Sequence, residues 1–157
     1  MSRVRGEEET SRLVRFYILI LLTVICDQLT KILALHYLAA QDTLPIIPNI
    51  FHLTLVHNTG IAFGFFRDHQ SLLFILISIS LIILFVWGKT RKNLSAIDQV
   101  AVGLILGGAV GNWIDRLRLG AVIDFLDFRV WPVFNMADSA ITVGVCLYLL
   151  SILKNKS

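Results

Sequence analysis

Gly107-Gly108-Ala109-Val110-Gly111-Asn112-Trp113-Ile114-Asp115-Arg116, then Val122-Ile123-Asp124-Phe125, then Phe134-Asn135-Met136-Ala137-Asp138, sets polar and charged groups between two oily segments. Charged residues are costly at the edge of a membrane and mark functional positions there. The apolar run entering this stretch, about 97–116, and the one leaving it, about 137–153, each have roughly the length of a membrane span. The stretch is therefore read as an outer connection between two spans.

Working outward, two more runs appear. The run 16–38 is long enough to cross a bilayer core of about 30 Å. Leu38-Ala39-Ala40 resembles a signal-peptide cleavage site, but a signal-peptide apolar region is only about 7–15 residues long. This run is longer and carries Asp27 and Lys31, so it is read as a retained span. The run 70–87 completes a set of four, and residues 1–15 are expected to be a disordered tail that becomes helical near Arg12. The whole chain, 1–157, is expected to be a single domain.

Composition agrees with a membrane protein. The hydrophobic share is 56% and the charged share 16%, against about 25% charged in a soluble domain. The net charge of +3 comes from basic residues at the ends of apolar runs. That is an orientation pattern and not a nucleic-acid footprint. Arg3, Arg5, Arg12 and Arg15, then Lys89, Arg91 and Lys92, then Lys154 and Lys156 are expected on the cytoplasmic side, with both termini. The outer loops are then about 39–69 and 117–136. Cys26 and Cys146 have neither disulfide nor metal-site spacing and are expected to be small core residues.

The first outer loop carries Pro45 and Pro48 and then alternates Phe51, Leu53 and Leu55 with His52 and Thr54. A period of two is the pattern of a half-buried strand. Asn58-Thr59-Gly60 supplies a turn. The aromatic run Ile61–Phe66 suits a platform lying in the membrane interface, or a hairpin packed on the bundle for stability alone. In the second loop, 121–130 is rich in β-branched and aromatic residues, so it is expected to be extended and to pair with the first.

Asp27 and Lys31 lie one turn apart on a helix, share a face and can pair. They stand about 16 and 22 Å along the helix from Phe16, in the outer half of the bilayer. Gly103, Gly107 and Gly111 make a small-residue stripe that allows close helix packing. Asn112 and Arg116 share a face, and Asp115 with Arg116 reads either as a plain interfacial ion pair or as part of a site. Asn135 is a plausible N-cap with Asp138 closing a capping box. Asp124 lies in an apolar extended stretch with no local partner, which a partly buried carboxylate needs.

Brought together, Asp124 and Asp138 share a proton, because two adjacent carboxyl groups do not both ionise easily. One then serves as base toward water and the other as acid toward a peptide bond. Asp127 is the alternative partner. No His-Glu-x-x-His or Gly-x-Ser-x-Gly motif is present, and His36, His52, His57 and His69 lack metal-ligand spacing.

These residues carry a resemblance. Asp27-x-x-x-Lys31, Asn58-x-Gly60-x-Ala62-Phe63, Gly107-Gly108-Ala109-x-Gly111-Asn112-x-x-Asp115-Arg116, Val122-x-Asp124-Phe125 and Phe134-Asn135-x-Ala137-Asp138 together resemble the lipoprotein signal peptidases, signal peptidase II of bacteria. The resemblance runs in order from the first span to the fourth. It implies an α-helical membrane protein, four transmembrane helices with a small periplasmic β-platform formed by the two outer loops. It further implies an intramembrane aspartyl endopeptidase of the bacterial inner membrane, cutting prolipoproteins just before a diacylglyceryl-modified cysteine near the periplasmic face. By motif position Asp124 and Asp138 are the catalytic pair. Asn58, Gly60, Gly108, Asn112, Arg116 and Asn135 bind substrate or order the site, with Asp27, Lys31 and Asp115 in support. No metal and no cofactor is implied. The partners are lipid-modified precursors, membrane lipid and globomycin-type peptide inhibitors. The acidic Glu7-Glu8-Glu9 tail and Trp113 depart from the family pattern.

Two other classes compete. A small transporter or proton channel would need charges along a path through the bundle, whereas these cluster at one face. A scaffold built on the glycine stripe leaves the outer polar residues unexplained.

Overall fold

The computed structural model describes residues 2–60, 70–91 and 94–154, except for the side chains of 2–10, 70 and 73. The elements in order are α1 (Ser2–Leu38), β1 (Thr43–Ile47), β2 (Phe51–Asn58), α2 (Gln70–Thr90), α3 (Ala96–Leu119), β3 (Val122–Asp127) and α4 (Met136–Lys154). The helix α1 begins at Ser2 and not near Arg12. The glutamates and arginines of the expected tail are themselves good helix formers, so the helix continues through them. The expected aromatic run 61–66 lies outside the described residues.

By length and apolar content, Ser11–Leu38 of α1, α3 and α4 can each cross a membrane, and α2 contributes a shorter apolar stretch, Phe74–Thr90. The bundle is turned inside out relative to a soluble one. Leu21, Leu29, Ile82, Ile83 and Leu150 are exposed, whereas Asp27, Lys31, Asp115 and Asn135 are at most 3% exposed. Lipid takes the apolar faces and the interior takes the polar ones. Cys26 and Cys146 follow this rule and correct their expected burial. Both lie on exposed faces, because an apolar side chain in a membrane has lipid as well as core to face.

Small residues draw the helices together. A Cβ at Gly111 would collide with the Asp27 carboxylate on α1, and one at Gly108 would collide with the Ala137 carbonyl on α4. Gly103 and Gly107 meet Leu19 and Thr23 on the same α1 face, so the stripe is a packing surface. Two apolar clusters complete the core. Phe16, Val102 and Leu106 hold the end remote from the sheet, and Ala34, Leu38 and Phe125 join α1 to the sheet.

The helix α3 ends at Gly120, whose φ of 70° and N–H···O bond to Arg116 form a left-handed cap. The turn delivers β3 antiparallel to β2, in a sheet ordered β1-β2-β3. The expected pairing of the two loops is present, with Val56 opposite Asp124 and Asn58 opposite Val122. As the alternation of β2 requires, Leu53 and Leu55 pack toward α1 while Thr54 turns away to Asp127. The edge strand β1 went unread in the sequence because Pro45 interrupts its pattern. An edge strand tolerates proline, since one side of it needs no ladder bond.

Candidate active site

Four elements bring their polar residues to the head of α4. Asn135 is its N-cap. Its Oδ1 accepts the Asp138 N–H at 2.9 Å, and Asp138 Oδ2 accepts the Asn135 N–H at 3.3 Å. This is the reciprocal capping box expected from the spacing, with aspartate in the acidic place. It leaves Asp138 Oδ1 to accept from Asn112 Nδ2, at 2.8 Å.

The same Asn135 reaches the strand. Its Nδ2 donates to Asp124 Oδ1 at 2.7 Å and to Asn112 Oδ1 at 3.0 Å. Asn58 Nδ2 donates to the other Asp124 oxygen at 2.9 Å, while its own Oδ1 accepts the Gly60 N–H at 3.0 Å and so fixes the amide. Asp124 and Asp138 are thus joined through one asparagine and flanked by two more. Their environments differ, with Asp124 buried at 1% exposure and Asp138 half-buried. Burial pushes the Asp124 carboxyl up to about 7. The Asn58 hydrogen bond opposes the shift, the charge of Asp138 adds to it, and Asn135 and Lys31 draw it back.

Arg116 does not pair with its sequence neighbour. It donates to the carbonyls of Gly60 (3.0 Å) and Asn112 (3.3 Å), leaving its charge beside both aspartates. Asp115 is instead bound by Lys31, which corrects the simple Asp115–Arg116 pair. Lys31 Nζ lies 2.8 Å from Asp27, from Asp115 and from Asn112 Oδ1, so one ammonium serves two carboxylates and an amide. The remaining carboxylate capacity is used by backbone. Asp27 accepts the Ala137 N–H at 2.9 Å, and Asp115 accepts the Ile123 N–H at 3.1 Å. Gln28, which the sequence reading missed, donates to Asp115 at 2.9 Å and to the Gly111 carbonyl at 3.2 Å. This network holds the strand before Asp124 and the helix start before Asp138 on a common base.

Asp127 takes no part. It accepts from Thr54 at 2.8 Å and pairs with Arg129 at 3.0 Å. Burial works against its charge, but the bonds from Thr54 and Arg129 outweigh it and hold the group below the ordinary carboxylate range.

A cavity of about 560 Å³ opens over the two aspartates, with Asn58, Asn112 and Arg116 also on its walls. Val56, Ile77, Val133 and Ile141 are among the apolar residues that make up most of the remaining wall. The fold and site together define a polytopic membrane enzyme with two carboxyl groups at one cleft. Residues 19–154 match the family described as Signal peptidase (SPase) II, and the chain belongs to that family of aspartic-type peptidases. It is 44% identical over 136 residues to the lipoprotein signal peptidase of Halothermothrix orenii, covering 85% of this chain and 92% of that one. It is 47% identical over 146 residues to that of Nostoc, covering 90% and 92%. A solved structure described as a bacterial membrane enzyme superposes with a TM-score of 0.77 at 34% identity, covering 91% of this chain and 90% of that one.

Proposed function

We propose that this protein removes the signal peptide from bacterial prolipoproteins, cutting ahead of a diacylglyceryl-modified cysteine with water activated by Asp124 and Asp138. The observation that carries the reading is the joint hold of Asn135 on both aspartates at the head of the cavity. Asp124, the more deeply buried of the two, holds the shared proton at rest, and Asp138 is the base. Water loses a proton to Asp138 as its oxygen bonds to the scissile carbonyl carbon, while Asp124 donates to the carbonyl oxygen. The carbon–nitrogen bond then breaks, the proton on Asp138 passes to the leaving amine, and the carbonyl reforms as Asp124 recovers its own.

Arg116 and Asn112 orient the substrate backbone, Asn58, Gly60 and Asn135 order the carboxylates, and Gly108 lets α4 approach α3. Lys31, Asp27 and Asp115 support the pair from below. The basic residues Arg12, Lys89, Arg91 and Lys154 lie away from the sheet, which supports an inner-membrane orientation with cytoplasmic termini and a periplasmic site. Globomycin-type peptides are expected to compete for the same cavity.

The test uses reconstituted protein and one precursor in two forms, with and without diacylglycerol on its cysteine. Mass spectrometry is expected to find cleavage before the lipidated cysteine. An intact lipidated precursor overturns the proposal.

A pH profile tests the roles. A carboxyl raised to about 7 loses its proton as pH rises through that value, and the acid is lost. Turnover is therefore expected to fall on an alkaline limb centred near 7. Asn58→Leu removes a donor that favours the ionised form, so the limb is expected to move to higher pH. A limb that stays in place or moves down removes Asp124 as the acid.

A further inference from the structure

We infer that Trp131 is a substrate-contacting residue of the cleft, covering the stretch of precursor polypeptide that follows the modified cysteine, an inference that rests on the function proposed above. The loop between β3 and α4 is a braced arch. Arg129 stands at a φ of 66°, a left-handed conformation that the Asp127 carboxylate holds by accepting the Arg129 N–H at 2.8 Å. The Val130 N–H donates to the Phe128 carbonyl at 2.8 Å, which closes the turn. The returning chain is tied down at Phe134. Its N–H donates to the Leu126 carbonyl at 3.1 Å, and its carbonyl accepts the Leu126 N–H at 2.8 Å. Phe128 stacks on Phe134 with centroids 5.9 Å apart and meets Phe51 of β2 at 4.8 Å. One foot of the arch follows Asp124 and the other precedes Asn135, so its side chains are set in place relative to both aspartates.

Trp131, Pro132, Val133 and Phe134 form one wall of the cavity that holds Asp124 and Asp138. Trp131 is nevertheless 62% exposed. A fixed frame that carries a largely uncovered indole offers wide, rigid contact area at small entropic cost. The two carboxyl groups share this cavity, so a chain cut by them passes the indole. Trp131 precedes Met136, the first residue of α4, and so stands outside the helical spans. The acyl chains of the precursor belong among the apolar faces of those spans, whereas the polypeptide beyond the cysteine leads away from them. That polypeptide is the segment the indole covers. The neighbouring Val130 is 92% exposed but lies off the cavity wall. It separates contact with the bilayer, which would involve both side chains, from contact with the precursor, which involves Trp131 alone.

The experiment uses full-length protein in phosphatidylethanolamine–phosphatidylglycerol vesicles and a lipidated precursor in two lengths. The long form keeps its chain after the cysteine, and the short form ends at the cysteine as its amide. With the long form, Trp131→Ala is expected to raise KM about tenfold, the scale of one aromatic anchor, with kcat within about twofold. Trp131→Phe keeps most of the ring area and is expected to recover most of the loss, and Val130→Ala to match wild type. With the short form, wild type and Trp131→Ala are expected to share one KM. Tryptophan emission gives a readout independent of turnover. In an Asp138→Asn background, which holds the precursor uncut, the long form is expected to shift emission to the blue, and Trp131→Phe to abolish the shift. Thermal melts verify that each variant folds, and the emission test decides alone where Trp131→Ala melts early. Unchanged KM in Trp131→Ala, an equal loss in Val130→Ala, or a fall in kcat at constant KM overturns the inference. So does a penalty that survives with the short form, or an emission shift that survives Trp131→Phe. A wild-type protein that leaves the lipidated precursor intact removes the functional reading itself, whereas cleavage by wild type and Trp131→Ala alike removes the contact alone.

Discussion

Asp124→Asn and Asp138→Asn each give a protein that folds but cuts the lipidated precursor slower by about a thousandfold or more. An acid or base in the transition state contributes about 10²–10⁴ in rate. Groups that act as a unit fail together, so the double variant is expected to be little worse than either single one. The folds survive because asparagine matches aspartate in shape. At position 138 the amide still serves one of the two donors, Asn112 Nδ2 or the Asn135 N–H. The other contact is lost, at a cost of about 0.5–2 kcal/mol for a weakened cap. Asp127→Asn is the control, since its partners Thr54 and Arg129 lie apart from the pair. Cleavage by Asp124→Asn or Asp138→Asn near the natural rate, with a normal melt, would discard the mechanism and leave the family untouched.

Lys31→Met is the second large effect, and it falls on stability. The ammonium lies 2.8 Å from both Asp27 and Asp115, with side chains no more than 4% exposed. Breaking a buried ion pair by removing one partner costs about 3–5 kcal/mol, because the other charge stays buried without compensation. Here two carboxylates lose their counter-ion at once. Their bonds from Gln28, Ala137 and Ile123 remain but carry no full positive charge. The variant is expected to melt far below the natural protein in detergent, or to fail to accumulate in the membrane. A melt unchanged within about 1 kcal/mol would mean that the two carboxylates do not depend on Lys31 for charge balance.

What could be read in the sequence was set by how far apart the interacting residues lie. The Asp27–Lys31 pair spans one helical turn, and the Asn135–Asp138 box spans a helix start, so spacing alone places each of them. Asp124 stood out because an apolar strand gives a carboxylate nowhere to go. Gln28 was invisible, since its partners Gly111 and Asp115 are 83 and 87 residues away. Asp115 and Arg116 look like a pair in the sequence, but adjacent helix residues do not face each other. The turn sends one to Lys31 and the other to the cavity. The cysteines were misjudged by a rule for water, in which apolar means inside. Around this bundle the solvent is itself apolar.

The arrangement of the buried ions has a consequence for biogenesis. Asp27 is satisfied in part by Ala137, which is 110 residues later in the chain. When α1 first enters the bilayer, α3 and α4 have not yet been made, and the nascent helix must carry its charges alone. Lys31 lies one turn from Asp27 and pairs with it directly, so the newborn segment enters as a nearly neutral dipole. Only later does Lys31 extend its hold to Asp115 and Asn112, and only when the head of α4 arrives is the last oxygen of Asp27 taken up. A fragment lacking α4 and its cap would carry Asp124 without Asn135 or Asp138, so under the proposed mechanism it is expected to cut nothing.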